Sequence, residues 1–188
     1  MFLGCRVIVR PPIVLPSAAV PARDDEFGWY RGEPRPIGAL LGATCEVVVD
    51  GYDDDPDPSS VHAAIATFLA LDDSALRAAA PSIFEYYRHI MDMAPEDWEW
   101  RVEIAGPDEV LDHVTVGPEV MVTRDPRRDR RVYVSVECEC DWEREHGLQI
   151  VFREGRTVNK VGPFNGHLTN ASAYARDDLG DVIYHRPG

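Results

Sequence analysis

Residues Arg131-Val132-Tyr133-Val134-Ser135-Val136-Glu137-Cys138-Glu139-Cys140 alternate strictly between two kinds of side chain. Val132, Val134, Val136, Cys138 and Cys140 fall on one side. Tyr133, Ser135, Glu137 and Glu139 fall on the other, the period of two that a strand with one buried face requires. A second run, Leu148 to Arg153, and a third, Arg156 to Gly162, flank Glu154-Gly155, a turn pair of the hairpin kind. The last third of the chain therefore reads as antiparallel sheet, with Asp141 to Gly147 as a longer connection that carries Trp142.

The middle of the chain changes period. Val61, Ile65, Phe68 and Leu69 form one stripe behind a cap at Ser59 or Ser60. Leu76, Ala80, Ile83, Phe84, Tyr87 and Ile90 form a second stripe behind Asp72 or Asp73, at the three- and four-residue spacing of a helix laid on a sheet. Pro81 removes a backbone donor inside that second stripe, so a break is expected near Ala79 to Pro81. A short helix over Asp108 to His113 and a strand over Glu119 to Thr123 follow. Upstream, Ala43 to Val49 is β-branched and apolar and Gly51 closes it, which predicts a strand from about Leu40 to Asp50. Asp53-Asp54-Asp55-Pro56-Asp57-Pro58 is a loop that lacks the glycine and terminal Glu of a calcium-binding hand.

The first 36 residues hold Pro11, Pro12, Pro16, Pro21, Pro34 and Pro36, too many for a long helix or a central strand. They read as an extended arm, with at most an edge strand over Phe2 to Val9. The expected organisation is thus an arm over 1–36 and one α+β domain over 37–188, a mostly antiparallel sheet with two or three helices packed on one face. A chain of 188 residues suits one domain.

Charge narrows the function classes. The chain carries 33 acidic and 19 basic residues, a formal net charge of −14. Phosphate binding needs clustered Lys and Arg, so nucleic acid is not an expected partner. Between Asp50 and Asp112 there are 16 acids against Arg77, Arg88 and Arg101, so that segment carries −13 and the remainder −1. An acidic field of this kind steers a basic partner, with Asp53, Asp54, Asp55 and Asp57 as its densest part and Trp98 and Trp100 as candidate aromatic anchors. Eighteen arginines against a single lysine, Lys160, read as the codon usage of a GC-rich bacterial genome. No secretory signal or membrane-spanning run is apparent, and Cys5, Cys45, Cys138 and Cys140 read as reduced thiols of a cytoplasmic protein.

The densest group of reactive side chains runs from Glu137 to Gly147, with His167 downstream. Glu145, His146 and His167 could form an acid/base group, since imidazole titrates near neutrality and a carboxylate fixes its tautomer. Cys138, Cys140, His146 and His167 are ligand types for zinc. Cys-x-Cys on one strand, however, separates its sulfurs by about 7 Å, wider than a tetrahedral site accepts. Neither Ser135 nor Thr169 lies in a nucleophile turn, and no phosphate loop is present. No cofactor is expected.

The run Val132 to Phe152, with Trp142-Glu143-Arg144-Glu145-His146-Gly147-Leu148 at its centre, and the run Lys160 to Thr169, ending Asn165-Gly166-His167-Leu168-Thr169, resemble a bacterial family of domains of unknown function. That family is typified by Trp-Glu-x-Glu-His-Gly-Leu and Asp-Gly-His-Leu-Thr motifs. Ile83-Phe84-Glu85-Tyr86-Tyr87 resembles its helical segment, so the likeness spans roughly Ala39 to Tyr174. Asn165 stands where the family carries Asp. Similar domains occur among proteins suspected of neutralising bacterial toxins, so the resemblance implies an immunity-type role. The expected function is a non-enzymatic interaction domain, monomeric or homodimeric, whose acidic surface meets a basic protein. The alternative is a small hydrolase or metal-dependent enzyme built on Glu145, His146 and His167.

Overall fold

The computed structural model describes residues 22–24, 26–99, 101–126 and 128–187. Its centre is the alternating segment, which forms β6 (Val132–Cys140). The valines and both cysteines of β6 face the main core, and Glu137 and Glu139 are exposed on the other side. β6 lies between β5 (Val114–Arg124) and β7 (Glu143–Arg153), and β8 (Thr157–Gly162) completes an antiparallel meander. The β7–β8 connection is the expected tight turn: Glu154 and Gly155 both have positive φ, 51° and 66°, and the Arg156 N–H bonds to the Arg153 carbonyl at 3.0 Å.

Four further strands precede the meander. They are β1 (Ala22–Asp24), β2 (Trp29–Arg31), β3 (Arg35–Pro36) and β4 (Thr44–Val49). The order across the eight-stranded sheet is β1-β2-β4-β5-β6-β7-β8, with β3 pairing beside β2 on β4. All pairs are antiparallel except β4 with β5. The fold is α+β, as the residue pattern indicates, but the sheet begins earlier than expected. Residues 22–36 of the expected arm contribute β1, β2 and β3 to it, whereas the expected strand over Phe2 to Val9 lies outside the described residues.

The parallel β4–β5 pair needs a crossover, which supplies α1 (Pro58–Leu69) and α2 (Ser74–Met93). Helix α1 starts with Pro58 in its first turn after Asp57, a little ahead of the expected serine caps; Ser60 donates to the Asp57 carbonyl. Helix α2 runs unbroken through Pro81, contrary to the expected interruption. Pro81 and Arg77 are exposed, so the carbonyl that loses its partner faces water. The opposite face buries Leu76, Ala79, Ala80, Ile83, Tyr86 and Tyr87, and that burial outweighs one missing hydrogen bond. Ring contacts weld the layers: Phe68 meets Phe152 edge-on at 5.0 Å, and Tyr86 and Tyr87 both meet Trp142 edge-on. Trp142 is fully buried in a turn of only Asp141 and Trp142, because β7 begins at Glu143 rather than after a longer connection.

The aspartates before α1 are drawn into this framework. Asp55 is 6% exposed and takes two bonds from the Arg124 guanidinium, at 2.8 and 2.9 Å. Arg124 also donates to Ser60 and to the carbonyls of Asp57 and Arg130, so one partly buried cation ties β5 to α1. Removing the carboxylate would strand that cation. Asp55→Ala is therefore expected to lower stability by about 3 kcal/mol or more. Urea unfolding checks this, and a midpoint equal to wild type would show that Arg124 is held without Asp55.

The chain after β8 folds back. Asn159 donates to the Leu168 carbonyl, Asn170 to the Val182 and Ile183 carbonyls, and the Val161 N–H on the β8 edge to the Ile183 carbonyl. This covers an edge that would otherwise expose unpaired backbone. Helix α3 (Asn170–Tyr174) starts with Thr169 accepting from the Ser172 N–H. No helix among the described residues is long and apolar enough to cross a membrane.

Candidate functional site

The sheet has two unlike faces. The one beneath α1 and α2 is the main core, and register fixes what stands on the other. Val48 pairs with Met121, Met121 with Ser135, Ser135 with Val151 and Val151 with Lys160, so these five form one row across five strands. Where Glu137 and Glu139 stand in place of buried residues, this face opens into a groove of about 880 Å³.

Its rim is acidic. Glu119 comes from β5, Glu137 and Glu139 from β6, Asp141 from the turn, and Glu143 and Glu145 from β7, against Arg144 as the one arginine lining the groove. Phe164 and Leu168 supply an apolar wall, held in place by the Phe164 N–H donating to the His146 carbonyl at 3.1 Å. Some of the acid is already engaged. Arg31 bridges Glu46 and Glu119 at 2.8 and 2.6 Å, and Asp141 meets His113 Nδ1 at 2.9 Å. Glu143 accepts the backbone N–H groups of Glu145 and His146, at 2.9 and 2.8 Å. Glu137, Glu139 and Glu145 are exposed, and no ion pair holds any of them among the described residues.

At the floor, a polar chain crosses three strands. Lys160 on β8 donates to Gln149 Oε1 on β7 at 2.6 Å, and Gln149 Nε2 donates to Ser135 Oγ on β6 at 2.9 Å. Lys160 and Gln149 are each 1% exposed. Burial alone pushes the Lys160 amine down to about 7. Gln149 and Ser135 line the groove. Sequence reasoning passed over this chain, although a lone lysine within Val158-Asn159-Lys160-Val161 on a strand marks a polar group that must find a buried partner.

The residues expected to carry chemistry do not assemble as expected. His146 Nδ1 lies 3.5 Å from Glu143, whereas His167 Nδ1 meets Ser172 Oγ at 3.1 Å, so the two imidazoles have separate partners. Among the described residues, the one group of three or more potential metal ligands that converges is Glu143, Glu145 and His146, within 4.8 Å. Cys138, Cys140 and His167 do not join it. Both thiols face the core, where burial pushes each up to about 12, so they remain protonated and poor ligands. Glu143 itself is occupied in closing the start of β7, where it accepts two backbone N–H groups.

The residues expected to meet a partner differ in setting. Asp55 is buried, Asp53 accepts from the Tyr30 hydroxyl and from Arg23, and Asp57 is held below the usual carboxylate range chiefly by Ser59. Asp53, Asp54 and Asp57 are all exposed. Trp98 packs half-buried against the core, and Trp100 lies outside the described residues.

No curated protein and no solved structure matches the chain. Residues 21–168, from just before β1 through β8 and the groove wall to Leu168, match the family described as a domain of unknown function, DUF6985. That span covers well over half of the sequence, begins ahead of Ala39 and ends short of Tyr174, the limits expected from the resemblance, and on it the chain belongs to DUF6985.

Proposed function

We propose that this domain is a non-enzymatic interaction module whose acid-lined groove takes a basic segment of a partner protein. The observation that supports the reading is the grouping of six carboxylates around one concave sheet face, with Glu137, Glu139 and Glu145 exposed and in no ion pair among the described residues. A guanidinium offers planar, charge-assisted hydrogen bonds to such carboxylates, and Phe164 and Leu168 give the aliphatic stem of an arginine an apolar wall. The aspartates around Asp53 to Asp57 are secondary in this reading, since Asp55 is buried on Arg124 and Asp53 is already engaged by Tyr30 and Arg23, although Asp53, Asp54 and Asp57 stay exposed. An immunity-type protein that neutralises a basic toxin is the biological form of this role that the sequence resemblance supports.

Fluorescence anisotropy with a labelled arginine-rich peptide tests the reading. Wild type is expected to bind with an affinity that falls as salt rises. The triple variant Glu137→Gln/Glu139→Gln/Glu145→Gln is expected to bind at least about tenfold more weakly. Asp53→Asn/Asp54→Asn should change binding by less than about twofold, because a rim charge away from the contact contributes little. Equal binding by wild type and the triple variant would remove the groove from the interaction.

A further inference from the structure

The direction of the hydrogen bonds in the buried chain constrains the groove floor. An ammonium has donors only, so Lys160 requires the carbonyl oxygen of Gln149, and the amide must then turn its NH₂ toward Ser135. Ser135 Oγ accepts that bond, and its own proton has to be donated elsewhere. Among the described residues it has no acceptor, although the residue is only 8% exposed and lines the groove. A buried hydroxyl held in this way is a preorganised donor aimed at whatever enters.

Resting on the basic-segment reading above, we propose that Ser135 is a specificity-determining residue which donates to a carbonyl oxygen of the bound segment. Lys160 and Gln149 are the positioning residues that fix its direction. Glu137 follows Ser135 by two positions on the same strand face, so their side chains stand about 7 Å apart. An arginine residue has its guanidinium and its own backbone carbonyl separated by a comparable reach. The groove thus reads two features of one residue: a cation on the carboxylate rim and an amide carbonyl at the floor. A free cation without a carbonyl satisfies only the first.

Two singly charged probes separate these features: N-acetyl-arginine methylamide, which has the carbonyls, and n-butylguanidine, which has none. Both are titrated into the full-length protein and followed by amide chemical shifts, at pH 6, where Lys160 is in its ammonium form. Wild type is expected to prefer the arginine amide by about three- to tenfold, the factor one net hydrogen bond supplies. Ser135→Ala should bind both probes alike, with n-butylguanidine unchanged. Ser135→Cys, which fills the site with a slightly larger group and offers only a weak donor, should do the same if alanine perturbs folding. Lys160→Met should reduce the preference without altering the affinity for n-butylguanidine, a selective change that loss of fold would not give.

Equal binding of both probes by wild type, or a preference that survives Ser135→Ala, overturns the role of Ser135 and leaves the acidic groove standing. Binding of neither probe by wild type overturns both readings.

Discussion

Gly155→Ala is expected to destabilise the protein by about 2 to 5 kcal/mol, a large part of the total stability of a domain this size. Two separate effects add at this position. Gly155 has φ +66°, where an L side chain pays about 1 to 2 kcal/mol. An alanine Cβ would also lie 2.1 Å from the Ala64 carbonyl oxygen and 3.1 Å from Phe68 Cβ. Both neighbours belong to α1, and the oxygen is helix backbone, so relief requires the helix to lift from the sheet or the hairpin to open. Overpacking of this kind costs a further 1 to 3 kcal/mol by about the usual measure. Gly51→Ala provides the control, since Gly51 has φ +72° with nothing within 4 Å of the added carbon, and should cost only about 1 kcal/mol. Chemical unfolding of both variants decides the matter. Equal losses would mean that the turn does not pack on α1 as closely as described.

Lys160→Met is expected to raise stability at neutral pH by about 1 to 3 kcal/mol. Burial holds the amine at about 7 in the folded protein against an ordinary value of 10.5. The unfolded chain therefore binds more protons than the folded one between those limits. Stability from this group rises with pH across that window, and its cost is fully present below about pH 7. At 1.36 kcal/mol per pH unit the cost near neutrality amounts to about 4 kcal/mol. Methionine removes it and fills similar volume, while the loss of a donor to Gln149 returns about 1 to 3 kcal/mol. The difference between wild type and variant should shrink steadily from pH 7 to pH 10. Thermal melts at several pH values measure it, and a constant difference would place the folded-state proton elsewhere. A residue that costs stability at working pH, and is bonded to Gln149 beneath the groove, fits retention for recognition rather than for folding.

How far the residues announced this architecture depends on distance along the chain. The period-two run of β6, the Glu154-Gly155 turn and the two amphipathic stripes are local signals, and each became the expected element. Pro81 misled because its cost is local while the burial that overrides it is tertiary. β1, β2 and β3 were hidden because strands of two or three residues among prolines show no period of their own and are recruited by β4. The candidate site was only half legible. Glu137 to Gly147 did mark the right strands, but acid density in sequence proved a poor guide to acid density in space. Asp53 to Asp57 are contiguous and mostly engaged, whereas Glu119, Glu137 and Glu145 meet only through sheet register. The Lys160–Gln149–Ser135 chain depends on a register shift between Val151 and Phe152 that leaves Lys160 opposite Val151, and no residue type signals such a shift.

The lone parallel pair has a bearing on the order in which the molecule is built. β5 to β8 are joined by short connections and can pair as soon as they leave the ribosome or the denatured state. β4 must wait until the whole helical crossover between Val49 and Val114 is closed, a loop whose entropy is spent before any β4–β5 bond forms. The meander is thus the expected nucleus, and β1 to β4 form a late-docking layer that native-state hydrogen exchange should find opening at lower free energy than β6.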